Sequence, residues 1–529
     1  MTKKLTRLIA IATVFTAVSL YGFDIREHYY AVSDKYLDIW GEKIQRTIDD
    51  NIEKNRKADA VFSLELPPGT PVKVTQISHC FLFGAQLFNY NQLGSAEANR
   101  IYQDLFGTLF NQATIPMYWR DLEPQENAMR TAPEAADSPE FWYDMPDREK
   151  HPAWRRPRPD TVIDFCKRKK IWTHGHLMAW ANADPSRHLP AWLMNKVPQE
   201  ILNDPVVKEK QKSSKTGAKL ISPASIRAIF GNLTAAEFAA KHPEFVAEFN
   251  RCWYKYITDL AANYGKNIDS WDVVNEATID FADCDNFSGQ SEYLVPGSEI
   301  CRSFYGIAPG DYVYKSFQCA EKSLPSRALL FINDYAALDP SMEKNYVDLV
   351  KNLVARKTKI DGIGNQVHIF RKSMMLDIVN GNGSFATPDM LMGIYRRQSE
   401  TGVPLRISEI TIPNPTNDTK GESMQAVVAY NLYRLWFSIG EIKSICWWNV
   451  VDGVSAGKEK MQSGILRKDM SRKPVFYALD HLINHEWRTD LTVSADKDGK
   501  VSFRGFRGSY LLSWQDKDGR NVSKLAEVK

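Results

Sequence analysis

The stretch Trp271-Asp272-Val273-Val274-Asn275-Glu276 reads as a short buried strand that ends in a polar pair. Seven further short apolar runs share its character: Cys80–Leu87, Gln112–Tyr118, Ile171–Ala179, Ala328–Asn333, Gly362–Ile369, Leu405–Ile410 and Ser444–Val450. With Ser270–Asn275 they make eight candidate strands. Between them lie longer segments of helical periodicity, such as Glu244–Tyr264 and Met424–Phe437. Strands alternating with helices predict a parallel sheet with its helices outside. Eight such units favour closure, so the expected fold is α/β, a (β/α)8 TIM barrel.

In such a barrel the reactive face lies at the C-terminal ends of the strands. That places Asn275 and Glu276 on this face, at the end of the fourth strand. The seventh strand offers a second carboxylate in Ile407-Ser408-Glu409-Ile410. Two carboxylates on one face suit cleavage of a glycosidic bond: one protonates the leaving oxygen, the other attacks the anomeric carbon or activates a water. Differing surroundings can keep one protonated and the other ionised at the same pH.

Working outward, the 529 residues suffice for one large barrel with additions, and 43% hydrophobic content supports a sizeable core. A net charge of +3 with no basic stripe gives no sign of a nucleic-acid partner. Fourteen Trp residues serve as core filler or as flat stacking faces for sugar rings. The start of the chain reads as an export leader over residues 1–22: Lys3, Lys4 and Arg7 precede an apolar run from Leu8 to Leu20 that is short for a membrane span. The expected location is therefore periplasmic or extracellular, with a retained anchor as the alternative. Seven cysteines leave at least one free; Cys284 and Cys301 lie in one loop and could pair. No C-x-x-C or zinc-like spacing occurs, and the two-carboxylate chemistry needs nothing further, so neither metal nor cofactor is expected.

Residues 23–79 form an N-terminal extension. It has helical spacing through Tyr36, Trp40, Ile44 and Ile48, then two strands, Ala60–Leu66 and Val72–Ile77, around the turn Pro67-Pro68-Gly69-Thr70-Pro71. The barrel is assigned to 80–488. Residues 121–159 and 195–240 read as insertions, the second with a polar run from Lys208 to Lys215. Residues 489–529 alternate short strands (Leu491–Ser494, Val501–Phe506, Ser509–Trp514) with Asp498-Gly499 and Asp518-Gly519 turns, a small β appendage. It could bind glycan, but about 40 residues make a marginal independent domain, so bracing the barrel is the favoured role.

The ordered set of motifs resembles glycoside hydrolase family 10, whose typical members are endo-β-1,4-xylanases. Trp271–Glu276 is similar to the family's acid/base motif, Gly362-Ile363-Gly364-Asn365-Gln366-Val367-His368 to its sixth-strand motif, and Gly175-His176 with Trp180 to its third. Asn333-Asp334-Tyr335 resembles the fifth-strand end, and Trp448 followed by Asp452 the eighth. The resemblance covers roughly residues 80–487. It implies that Glu276 is the acid/base and Glu409 the nucleophile of a retaining hydrolase acting on a polysaccharide or oligosaccharide. It further implies that Asn275 binds a sugar hydroxyl, that His368 and Gln366 order the nucleophile's network, and that His176, Trp180 and Trp448 shape the subsite of the reacting sugar.

Several positions depart from the family pattern. Thr114, Ile115 and Tyr118 stand where the second strand carries Glu, Asn and Lys. Ala181 follows Trp180 in place of a His, His188 precedes Leu189-Pro190-Ala191-Trp192 in place of a Gln, and Ala456 falls where a second Trp is expected. Catalysis is thus better supported than xylan specificity. Two further readings stay open: a related barrel glycosidase acting on another β-glycan, and a non-catalytic glycan-binding barrel.

Overall fold

The computed structural model describes residues 23–182, 187–203, 205, 235–281, 303–307, 311–335, 338–339, 342–455 and 462–529. The expected leader, the Cys284–Cys301 pairing, the Lys208–Lys215 run and Ala456 lie outside the described residues.

Two strands, β1 (Lys57–Ser63) and β2 (Pro71–His79), precede the barrel. The barrel itself is β3 (Leu82–Gln86), β4 (Gln112–Pro116), β5 (Trp172–Trp180), β6 (Ser270–Asn275), β7 (Leu329–Asp334), β8 (Gly362–His368), β9 (Leu405–Thr411) and β10 (Ile442–Trp447). These eight pair in chain order, and β10 closes on β3 in parallel, with Ser444 opposite Leu82 and Trp447 opposite Ala85. Strands covered on both faces must be apolar almost throughout, which is why the runs are so legible.

The structure corrects the last strand. It spans Ile442–Trp447 and not Ser444–Val450: the Trp448 N–H still donates to the Ile410 carbonyl at 2.9 Å, and beyond it the Asn449 carbonyl accepts from Trp447 Nε1 at 2.8 Å in place of a neighbouring strand. The four remaining strands are β11 (Asp490–Ser494), β12 (Lys500–Phe506), β13 (Gly508–Gln515) and β14 (Asn521–Val528). Sequence periodicity missed β14, an exposed edge strand whose outward residues include Lys524 and Glu527. Terminal segments far apart in sequence share two sheets: β1 pairs with β12, and β2 lies between β11 and β13, with β14 at the edge. Val72, Val74, Val501, Phe503, Tyr510 and Leu512 are among the residues that fill their common core.

Three helices show how the outer layer is held. Helix α1 (Glu42–Arg56) of the extension packs on α3 (Thr419–Ser438), while α2 (Pro243–Tyr264) precedes β6. Asp418 starts α3 by accepting the Gly421 N–H at 2.8 Å, a side-chain cap. Arg434 on α3 is buried, yet it is ion-paired to both Asp49 of α1 and Glu486. Arg56, at the end of α1, donates to the carbonyls of Phe437 and Ile439 at the end of α3 and of Ile442 in β10, while Asn55 donates to the Ser438 carbonyl at 2.8 Å, so carbonyls left open by the helix end find partners.

The 121–159 segment follows β4, so it stands on the barrel's reactive face. It is an ordered insertion with its own small core of Ala136, Trp142 and Ala153. Arg130 pairs with Asp137 at 2.8 Å and donates Nη1 to the Arg156 carbonyl at 2.9 Å, which ties the early part of the segment to its last residues. Gln92 pins it to the barrel, donating to the Ala153 carbonyl at 2.9 Å and accepting the Arg155 N–H at 2.7 Å. Of the 195–240 segment only 195–203, 205 and 235–240 are described. Among the described residues no helix is long and apolar enough to cross a membrane.

Candidate active site

Parallel pairing sets Asn275 at the end of β6 beside Trp180 of β5 and Asn333 of β7. The next residue, Glu276, turns out of the ladder with φ of +58°. A side chain there costs about 1 kcal/mol or more, because Cβ crowds the following carbonyl. The conformation is held by the Glu276 N–H, which donates to the Asn333 carbonyl at 2.8 Å. The carboxyl oxygens take hydrogen bonds from Trp180 Nε1 at 2.6 Å and Gln366 Nε2 at 3.3 Å. Burial pushes this carboxyl up to about 7, and the negative charges of Glu409 and Asp334 add to the rise against the two donors.

Glu409 lies on β9, in register with Gln366 of β8. Asn333 Nδ2 donates to its Oε1 at 2.7 Å, and His368 Nε2 lies 3.1 Å from its Oε2. The other ring nitrogen of His368 meets Thr411 Oγ1 at 2.9 Å, which fixes the ring plane. Asn333 Nδ2 also donates to Asn275 Oδ1 at 2.8 Å, and Gln366 Nε2 reaches that same oxygen at 3.2 Å. An unbroken chain of side chains therefore runs from Glu276 through Gln366, Asn275 and Asn333 to Glu409. Gly364 makes room for it: a Cβ there would meet Asn333 Oδ1 at 2.2 Å.

The other two expected residues form the wall. His176 places Nδ1 2.8 Å from Asp272 Oδ2. Its ring packs edge-on against Tyr118 and Trp448, with centroids at 5.7 and 5.4 Å. Phe88, Tyr118, Leu177 and Trp448 are buried as one cluster, with Trp180 packed on it. Trp448 also faces His368 at 6.2 Å. The structure thus brings all eight expected residues into one connected site. At the altered second-strand positions, Thr114 and Ile115 are buried in the barrel, whereas Tyr118 belongs to the aromatic wall.

Sequence reading assigned no role to Asn333, Asp272, Thr411 or Phe88, yet each orients or encloses an expected residue. A signal for Asp272 was present. Ser270 and Asp272 alternate on one strand and His174 and His176 on its neighbour, a period-two polar pattern inside buried strands. The contacts follow that pattern: Asp272 Oδ2 is 2.8 Å from both His174 Nε2 and His176 Nδ1. Burial would raise the Asp272 carboxyl, but the two histidines and Arg406 outweigh it and hold the group well below its usual range. Elsewhere, Glu126, Glu248 and Cys252 approach one another as metal ligands do. Lys196 and Arg251 already ion-pair both carboxylates, so the cluster reads as a charge network.

A closed parallel barrel with two carboxylates at the reactive ends of its strands is the architecture of the barrel glycoside hydrolases. The model of glycosyl hydrolase family 10 matches residues 233–481. Over that stretch, a little under half of its length, the chain is similar to the family. Endo-1,4-β-xylanase A of Caldicellulosiruptor sp. (strain Rt8B.4) is 26% identical over 316 residues, which is 59% of this chain and 36% of that protein. Endo-1,4-β-xylanase A of Xylanibacter ruminicola is 34% identical over 209 residues, 40% of each chain. The aligned stretch thus spans well under half of either relative. Native xylanase 10B from Thermotoga maritima superposes over 77% of this chain and 95% of its own, with 18% identity and a TM-score of 0.48.

Proposed function

We propose that this protein is a retaining glycoside hydrolase that cleaves β-linked polysaccharide in the endo-β-1,4-xylanase manner, with xylan or a decorated xylan as substrate. The observation that carries the reading is the pair of glutamates joined by one side-chain network. Burial and nearby negative charge push the Glu276 carboxyl up to about 7, so it holds a proton near neutral pH and can deliver it to the leaving glycosidic oxygen. Glu409, oriented by Asn333 and His368, attacks the anomeric carbon to form a glycosyl–enzyme ester. Glu276, now ionised, takes a proton from the water that cleaves this ester, and the anomeric configuration is retained. Asn275 spends its Oδ1 on Asn333 and Gln366, which leaves Nδ2 as a donor for a hydroxyl of the reacting sugar. His176, Trp180 and Trp448 enclose that sugar. Export by the 1–22 leader belongs to the same reading and rests on its basic start and apolar run.

The test is a pair of variants. Glu276→Ala and Glu409→Ala should each lower hydrolysis of xylo-oligosaccharides by at least about 10³-fold with an unchanged circular dichroism spectrum. Added azide should restore turnover to one of them by substituting for the missing carboxylate. Folded Glu409→Ala protein with full activity overturns the assignment, as does an NMR time course in which the inverted anomer forms first.

A further inference from the structure

We infer that Arg156 and Arg187 form a cationic subsite beside the aromatic wall, and that it receives an anionic substituent on the glycan. The inference rests on the reading that this cleft binds a β-glycan, and it names the substrate's chemistry more closely.

Three contacts place the subsite. The Arg156 guanidinium stands 3.9 Å over the ring of Tyr118, and that of Arg187 stands 5.9 Å over Trp180. The Tyr118 and Trp180 rings touch edge-on at 5.8 Å. Trp180 in turn donates to Glu276 at 2.6 Å. Both cations therefore lie within one or two aromatic rings of the proposed proton donor. A guanidinium laid over a ring keeps its N–H edges free, and those edges match the two oxygens of a carboxylate.

Their hydrogen-bond accounts leave capacity for a ligand. Arg156 gives Nε to Asp121 at 2.7 Å and Nη1 to the Arg155 carbonyl at 2.8 Å, while Nη2 has no protein partner among the described residues. Its side chain is 19% exposed, so the free edge is reachable. Arg187 has no hydrogen bond or ion pair among the described residues; its one recorded contact is Trp180. Asp121 is the carboxylate facing this group, and it already serves both Arg120 and Arg156. Arg155 is a different case: it is buried and spent on the Val454 carbonyl, which makes it part of the insertion's anchor.

The sequence explains why the charge is here. Tyr118 occupies the second-strand position where the family resemblance leads one to expect Lys. The 121–159 insertion folds back over that tyrosine and supplies Arg156. Positive charge thereby returns to this wall, carried by a guanidinium stacked on the ring.

The experiment is calorimetric binding to the full-length Glu276→Gln protein, so that turnover does not consume the ligand. The probes are linear xylohexaose, the same backbone bearing one glucuronic acid, the carboxyl-reduced form of that branch, and a sulfated xylo-oligosaccharide. The glucuronic acid form should bind at least about tenfold tighter than its carboxyl-reduced twin, with the advantage shrinking at high salt. Adding Arg187→Gln should bring the ratio below about threefold, and Arg156→Gln should do the same. Arg156 also pairs with Asp121, so Arg187→Gln, which breaks no ion pair among the described residues, carries the test if the Arg156 variant misfolds. An advantage shown by the sulfated ligand alone supports the same subsite and assigns sulfate as the anion. Equal affinity for both branched forms and for the sulfated ligand overturns the proposal, as does an advantage that survives both arginine variants. The broader reading fails separately: if wild-type protein hydrolyses none of the four while the binding ratio holds, the subsite stands and the hydrolase does not.

Discussion

Glu276 carries both the proposed proton and a cost to the fold. Its folded carboxyl titrates at about 7, against 4.5 for an ordinary glutamate. The native state therefore binds this proton more tightly than the unfolded chain does. The associated stability is fully present below about pH 4.5 and is lost as pH rises through about 7. Above that, burying the charge costs up to about 3 kcal/mol, given about 1.4 kcal/mol per tenfold change in proton affinity. Glu276→Gln removes the charge and keeps the shape. The variant should melt above wild type at pH 8, with the gap closing by pH 4.5; equal melting temperatures at pH 8 contradict the assigned environment. The same titration sets the alkaline side of the rate profile. For wild type, kcat/KM on a neutral oligosaccharide should fall roughly tenfold per pH unit above about 7, because the donor must start protonated. A profile flat from pH 6 to 9 identifies some other group as the acid.

At the scale of strands, Gly364 on β8 decides how closely β7 and β9 cooperate. It gives Asn333 the space to reach both Asn275 and Glu409. A methyl group at 2.2 Å from Asn333 Oδ1 cannot be accommodated without moving that amide. Gly364→Ala should thus lower kcat by about 10²-fold or more, since misplacing a reacting group by about 1 Å costs that much, while destabilising the fold by about 1–3 kcal/mol. Unaltered kcat would show that the Asn333 bridge does not orient Glu409. What could be read in the sequence follows the same physics. Strands buried on both faces announce themselves as apolar runs, so seven of the eight barrel strands were placed closely and both strand-end glutamates stood out. The bridge itself was not legible, because Asn333 matters through contacts to residues 58 and 76 positions away. The arginine at Tyr118 was equally hidden: nothing in a polar insertion says which of its cations will fold back onto a ring. Exposed edge strand β14 escaped notice because charged residues interrupt its alternation.

For the molecule as a whole, the two ends of the chain are mutually dependent. Every residue of β1, from Lys57 to Ser63, pairs with β12, and β2 is flanked by β11 and β13. The shared core has eight buried apolar residues, six of them contributed by residues 495–528. At about 1.5–3 kcal/mol for each fully buried large side chain, removing the tail forfeits on the order of 10 kcal/mol of gross burial, comparable to the net stability of an ordinary domain. The damage would not stay local. Arg507 donates its N–H to the Arg56 carbonyl at 2.9 Å. Arg56 in turn holds the end of α3 and stacks 4.6 Å over Phe81, beside the strand pair that closes the barrel. Protein ending at residue 488 should therefore lose at least about 10 °C in melting temperature or fail to accumulate in soluble form, since β2 would present bare edges and an uncovered apolar face. Full-length Val74→Asp offers an independent check: Val74 is fully buried between the two terminal segments, and an unpaired charge there should mimic much of the truncation. Thermal unfolding of both proteins decides the matter. If the tail-less chain melts with wild type and keeps its hydrolytic rate, the terminal sheets are an ornament and the barrel stands alone.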